Sequence, residues 1–397
     1  MKPLEGITVV SLEHAIAAPF ATRQLADLGA RVIKIERPGA GDFARAYDTR
    51  ARGLASHFVW TNRSKQSLTL DIKQSQAHDA LMRLIDQEAD VVVQNLAPGA
   101  AERLGLGWAA LHARKPSVIL CDISGYGNDG PYRDKKAYDL LIQSEAGFVS
   151  TTGTPGEGVK AGISIADIAA GMYAYSNILA ALIERGTTGL GRHIDLSMLE
   201  AMGEWMGYPM YYAMDGAAQP LRAGASHSTI FPYGPFEVGS AVGQTGTVML
   251  GLQNEREWGA FCRVVMQRPG LASDERFSTN AKRSAARGAL SDEIRAVFAL
   301  LTVDQVEQRL EDAKIANARV NDMAGLWAHP QLAARGRWTR VGSPVGELPA
   351  LWPAGRSGQA DVQMAPVPDV GEHTDAILRE LGYAQEQIDQ MRGAAAI

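Results

Sequence analysis

Residues 7–36 read ITVVSLEHAIAAPFATRQLADLGARVIKIE, and this stretch decides the fold class. Ile7–Glu13 is apolar and β-branched in the manner of a strand. Phe20–Leu28 has helical spacing and stops at Gly29, a residue suited to ending a helix. Arg31–Glu36 is a second strand candidate. Strand, helix and strand in so short a span make a βαβ unit.

The alternation continues outward. Ser67–Ile72, Val91–Leu96 and Ser117–Ser124 read as further strands with helical stretches between them. Strands alternating with helices imply an α/β fold, a parallel sheet covered on both faces. The first turn, His14-Ala15-Ile16-Ala17-Ala18-Pro19, has no glycine. A dinucleotide pyrophosphate needs glycine there for close backbone approach, so nicotinamide and flavin binding are disfavoured.

Farther on, residues 164–185 form the strongest helix signal, closed by Gly186, and a Gly-rich turn, a strand and another helix follow. The text from 205 to 235 is aromatic and rich in Gly and Pro (WMGYPMYYAMDG, then FPYGPF). This organisation predicts a large domain over 1–205, a linker over 206–224 and a small domain over 225–320, with 321–397 returning to the large domain. Residues 370–391 carry one or two amphipathic helices.

Bulk properties exclude several classes. The 397 residues carry a net charge of −5, so no overall basic field attracts nucleic acid. The two cysteines, Cys121 and Cys262, form neither a disulfide framework nor a zinc motif. No apolar run of membrane-spanning length and no leader pattern is evident, which points to the cytoplasm.

Asp167 opens the long helix. A carboxylate there meets the helix dipole and free N–H groups, which favour its anion. An ionised carboxylate can attack a thioester. Equally, Ser164 and Asp167 have the S-x-x-D spacing of a capping box, which requires no chemistry. Arg37, Lys73, Asn95, Arg103, Lys135 and Lys136 fall at or just past strand ends, where open α/β sheets bind ligands. Several cations at one edge suit a phosphorylated ligand. The turn Asn95–Gly99 offers backbone N–H groups, and His14 is a lone acid/base candidate.

The segments HAIAAP, LGARVIKIERPGAGD, LTLDIK, VVVQNLAPGAAERLG, SGYGNDGPY, ADIAAG, GRHIDLSMLEA and GEHTDAILRELG together resemble the class III CoA-transferases, the family of formyl-CoA transferase. The resemblance covers nearly the whole chain and is weakest between about residues 220 and 350. It implies a Rossmann-like large domain built from both ends of the chain, a smaller α+β domain, and a homodimer of interlocked rings. It also implies that Asp167 is the nucleophile and that CoA enters as a substrate, with no tightly bound cofactor. Position by position, it implies that Ala15, Arg37, Leu70, Lys73, Asn95, Leu96, Arg103 and Lys136 hold CoA, the cations Arg37, Lys73 and Lys136 meeting its phosphates.

Departures from the family narrow the substrate. Ile16 stands where formyl-CoA transferase has a catalytic Gln, and Asp139 where it has a Glu. Both point away from formate and oxalate. The related 2-methylacyl-CoA racemases use a His where this chain has Tyr138, a poor base at neutral pH. SLEHAIAAPFATRQLADLG and KKAYDLLIQSEAGF look most like enzymes of C4–C5 dicarboxylates. These are itaconate or citramalate CoA-transferases using succinyl-CoA, and the intramolecular mesaconyl-CoA C1–C4 transferase. A remote carboxylate needs a clamp, for which Arg45, Arg222, His227 and Tyr233 are candidates. The rival from another class is a non-catalytic nucleotide-binding protein.

Overall fold

The computed structural model describes residues 2–355 and 362–397. They form two compact units. The first holds the described residues of Met1–Phe148, Ala161–Tyr208 and Gln331–Ile397; the second holds Val149–Lys160 and Pro209–Pro330. The second unit thus reaches beyond the 225–320 expected for it, taking in residues 149–160 and most of the 206–224 segment.

The first unit is built on a six-stranded parallel sheet. Five of its strands are β1 (Thr8–Leu12), β2 (Arg31–Glu36), β3 (Lys65–Thr69), β4 (Val91–Gln94) and β5 (Ile119–Ser124). They lie in the order β3-β2-β1-β4-β5, and the strand His193–Ser197 pairs outside β5 as the sixth. The strand order reverses direction between β1 and β4. This is the switch point beyond whose carboxyl ends such sheets bind ligands.

Alternation along the strands feeds two cores. Val10, Leu12, Ile33, Ile35, Leu68 and Val92 face the helix Ser75–Glu88 and the returning helix Thr374–Glu380. Val9, Val32, Val91, Val93 and Cys121 face α1 (Ala17–Asp27) and the long helix Ile165–Thr188. Gly171 governs how α1 meets the long helix: a Cβ there would lie 2.8 Å from the Ala17 carbonyl oxygen and 2.9 Å from the Phe20 ring. The small residues Ala166, Ala169, Ala170, Ala174 and Ala181 bury the same face of the long helix. By length and composition this helix is apolar enough to cross a membrane, contrary to the expectation that no run approached that limit. Its Ser, Asn and Tyr residues hide this in the sequence.

β3 begins before the expected Ser67. Its buried Lys65, Ser67 and Thr69 face a polar cluster rather than water, so the strand lacks an apolar signature at its start. In that cluster Lys65 donates to Glu13 (2.6 Å), Lys34 to Asp42 (2.8 Å), Thr22 to Glu13 (2.6 Å) and Ser67 to Glu36 (2.6 Å). Every one of these charged groups is buried and paired, as a low-dielectric interior demands.

β3 is also the outer strand, and GEHT (371–374) closes its edge. His373 Nδ1 accepts the Ser67 N–H (3.2 Å), Thr374 Oγ1 accepts the Thr69 N–H (3.0 Å), and the His373 N–H donates to the Ser67 carbonyl (3.0 Å). Backbone groups that would invite a foreign strand are thereby satisfied. A short antiparallel pair, Trp338–Val341 with Leu348–Leu351, completes the strands of this unit.

The second unit packs helices, among them Arg287–Phe298 and Val303–Asp312, around a three-stranded antiparallel sheet. The strands are Tyr233–Val238, Gly246–Gly251 and Ala316–Arg319.

Candidate active site

Asp167 sits in the first turn of the long helix. The capping box expected of Ser164 is not formed, since its side chain makes no cap hydrogen bond. The cap comes from outside the helix. Asp139, first residue of a helix ending at Glu145, accepts the N–H groups of Ala166 (2.8 Å) and Asp167 (3.3 Å) through Oδ1. Its Oδ2 accepts from the Gln143 amide (2.6 Å), and Gln143 in turn accepts the Ala161 N–H (2.9 Å).

This arrangement reverses the expected electrostatics of Asp167. The helix N–H groups are bonded to Asp139, and no side-chain hydrogen bond reaches the Asp167 carboxylate among the described residues. Burial pushes Asp167 up to about 7, and the charge of Asp139 adds to the shift. The dipole argument alone predicts a favoured anion. Asp139 gives no local signal in the sequence, because it acts from 28 residues away.

The Gly171 contact with α1 lies one helical turn after Asp167 and draws this part of the long helix against the start of α1. The preceding turn, residues 13–16, is held on both sides. Asn95 accepts the His14 N–H (2.9 Å) and donates to the His14 carbonyl (3.0 Å), bridging the switch point between β1 and β4. Ala15 adopts φ 60°, a left-handed conformation that costs a non-glycine residue energy, and its N–H donates to Asp42 (3.3 Å). His14 stacks on Phe43 with centroids 5.4 Å apart. Burial holds His14 below the ordinary imidazole value, with Asp42 opposing and Lys34 and Arg37 assisting. The Tyr47 phenol, raised by burial and then by Asp42, Asp167 and Tyr138, is a further neighbour of Asp167 that the sequence did not flag.

The remaining CoA candidates divide by chemistry. Arg37, Lys73, Arg103 and Lys136 are exposed and have no ion pair among the described residues. Arg103 lies over Gly99: a Cβ there would fall 2.9 Å from its Nη1. Lys135, by contrast, pairs with Glu145. Leu70 is buried in the core that faces the helix Ser75–Glu88, so only its backbone is available to a ligand. The Leu96 N–H is held by Gln94 Oε1 (2.7 Å).

Two candidates for a dicarboxylate clamp are already engaged. Arg45 makes a two-pronged pair with Glu36 and donates to the Pro368 carbonyl. Arg222 donates to the carbonyls of Ser150, Thr154 and Pro155. His227 Nδ1 accepts the Thr229 and Ile230 N–H groups, and its ring stacks on Tyr233 at 5.2 Å.

Comparison with known proteins gives the same direction as this site. The sequence matches the profile of CoA-transferase family III over residues 4–374. The chain belongs to this family. A succinate–glutarate CoA-transferase of Agrobacterium fabrum is 34% identical over 394 residues, covering 96% of each chain. A succinyl-CoA:mesaconate CoA-transferase of Haloarcula marismortui is 30% identical over 403 residues, covering 96% of this chain and 97% of that one. Among solved structures, a CAIB/BAIF family protein from Brucella suis aligns with a TM-score of 0.85 at 33% identity. That alignment covers 96% of this chain and 99% of that one. As a family III CoA-transferase, the chain is an enzyme whose substrates are CoA thioesters.

Proposed function

We propose that this enzyme transfers CoA from succinyl-CoA to a C4–C5 dicarboxylate through covalent intermediates on Asp167. The acceptors in view are itaconate, citramalate and mesaconate, joined by glutarate on the likeness to the Agrobacterium relative. The observation that carries this reading is Asp167 itself. It is a half-buried carboxylate with no bonded partner among the described residues, at the start of the helix that Gly171, one turn on, packs closely against α1.

Ionised Asp167 attacks the thioester carbonyl, giving a mixed anhydride and CoA thiolate. The thiolate attacks the aspartyl carbonyl, releases the donor as its carboxylate and leaves an aspartyl-CoA thioester. The acceptor carboxylate attacks that thioester, forming a second anhydride and freeing the thiolate again. The thiolate then takes the acceptor acyl group, and Asp167 is restored. The unpaired Arg37, Lys73, Arg103 and Lys136 suit the phosphates of CoA, being cations not committed to carboxylates among the described residues. We place the enzyme in the cytoplasm as the interlocked homodimer of its family, and exposed Ile183 and Tyr208 in the first unit support a subunit contact.

The test is mass spectrometry of CoA esters after mixing the protein with succinyl-CoA and a panel of itaconate, mesaconate, citramalate, glutarate, malate and oxalate. A new ester names the acceptor. Hydroxylamine added to the protein and acyl-CoA alone is expected to trap Asp167 as its hydroxamate, which a non-catalytic binding protein cannot yield. Absence of both products overturns the reading. Uptake of α-deuterium from heavy water then marks racemisation, and a CoA ester of unchanged mass but altered position marks intramolecular transfer.

A further inference from the structure

Asp122 is a nearly buried carboxylate in the middle of the sheet, 6% exposed, and it takes no part in the chemistry above. It lies in register with Gln94 on the neighbouring strand, beyond the apolar residues of the core that faces the helix Ser75–Glu88. Its Oδ2 meets His193 Nε2 at 2.7 Å, and its Oδ1 accepts from the Gln94 amide nitrogen at 2.8 Å. The Gln94 amide oxygen accepts the Leu96 N–H at 2.7 Å. Three side chains on three strands therefore end on one backbone amide, in the loop that follows β4.

The polarity of these bonds is fixed. An ionised carboxylate only accepts. Asp122 therefore forces both neighbours to donate to it. Gln94 must present its NH2 to Asp122, which leaves its oxygen toward Leu96. The reversed amide would set oxygen against carboxylate and NH2 against N–H. His193 donates from Nε2 whether it is an imidazolium or the neutral Nε2–H tautomer. Around His193 stand Asp122 on β5, Asp195 on its own strand, Glu102 after the loop, and the Trp108 ring, on which His112 stacks in turn. The Trp108 ring lies parallel to His193, 5.5 Å away at 8°.

We propose that His193, Asp122 and Gln94 form a positioning chain that sets the Asn95–Gly99 loop in the shape that receives the CoA portion of the substrate. This rests on the proposed function, which takes that loop as a CoA contact. Asn95 already ties the loop to the β1–α1 turn. The chain supplies a second tether, one residue on, controlled from β5 and the edge strand His193–Ser197.

Two full-length variants test it. Gln94→Leu removes the tether. The Leu96 amide should then exchange faster with heavy water, and KM for succinyl-CoA should rise roughly 3- to 10-fold with kcat nearly unchanged, as expected for one lost hydrogen bond. Asp122→Asn is sharper. To accept from Gln94, its amide must donate to His193, and only a neutral imidazole with a bare Nε2 accepts. The ratio of variant to wild-type KM should stay near one above a pH of ~6.5 and climb below it. Simple loss of packing gives no such pH dependence. Asp122→Asn is isosteric, so it carries the test alone if Gln94→Leu does not fold.

Calorimetry with free CoA separates the two failures. If wild-type protein does not bind CoA, the proposed function falls and this inference with it. If wild-type protein binds CoA and the Asp122→Asn ratio is flat with pH, the positioning chain alone is overturned.

Discussion

Glu13 and Asp167 are two carboxylates of the same unit, the first fully buried and the second half-buried, and their surroundings drive them in opposite directions. Burial raises each. At Glu13 the adjacent Lys65 and Lys34 outweigh burial and hold the group ionised, below the usual carboxylate range. At Asp167 no cation answers among the described residues, Asp139 adds a like charge, and the proton is kept up to about 7. The lesson is that the sign of the neighbours, rather than depth, separates a framework charge from a reactive one.

The largest effect should come from Asp167→Asn, which keeps the shape and removes the nucleophile. CoA transfer from succinyl-CoA should fall on the order of a thousandfold or more. A variant that retained the wild-type rate would place Asp167 with Glu13 as framework. Glu13→Gln tests the other side. It leaves Lys34 and Lys65 buried with too little negative charge and should cost about 3–5 kcal/mol of stability. Urea unfolding reads this directly, and an unchanged midpoint would mean that one lysine sheds its proton instead.

A third effect separates the two groups by pH. Unfolded Asp loses its proton near 4, whereas folded Asp167 keeps it to about 7. Between those values the native state carries the extra proton, so this group's contribution to stability declines as pH rises through that window. The decline is at most about 4 kcal/mol and smaller once water reaching the half-buried site is counted. Asp167→Asn lacks it, so the variant should melt increasingly above wild type from pH 4 toward pH 8. The wild-type rate should run the other way, kcat/KM rising through about pH 7 as the nucleophile ionises.

The smallest effect is Asp139→Asn. Its amide oxygen can still accept the Ala166 and Asp167 N–H groups, but its NH2 then faces the buried Gln143 NH2, so stability should fall by about 1–3 kcal/mol. The acid limb of kcat/KM should nonetheless move to lower pH, because a like charge has gone. A limb that stayed in place would leave burial as the sole cause of the Asp167 shift.

Much of this is legible in the amino-acid sequence. Arg31–Glu36 is a strand to the residue, because its neighbours in the sheet are also strands of the same local pattern. The long helix is legible too, although it runs past Gly186 to end at Gly189, which takes the left-handed φ of 73°. The features that escape a sequence reading share one cause. Lys65, Ser67 and Thr69 look like exposed residues because sequence cannot tell a polar group facing water from one facing Glu13, Glu36 or Thr374. Arg45 and Arg222 look like free cations because their partners lie elsewhere in the chain. Ser164 has the spacing of a cap, yet Asp139 takes the N–H groups it would have needed.

The closure of β3 by GEHT has a consequence in time. Ser67 and His373 are 306 positions apart. A ribosome adding about 5–20 residues per second needs roughly 15 to 60 s to cover that distance. Throughout that interval the nascent protein carries an open β ladder, available to any passing strand. The demand for chaperones should therefore peak before His373 emerges, and a premature stop codon upstream of it would leave the ladder open for good.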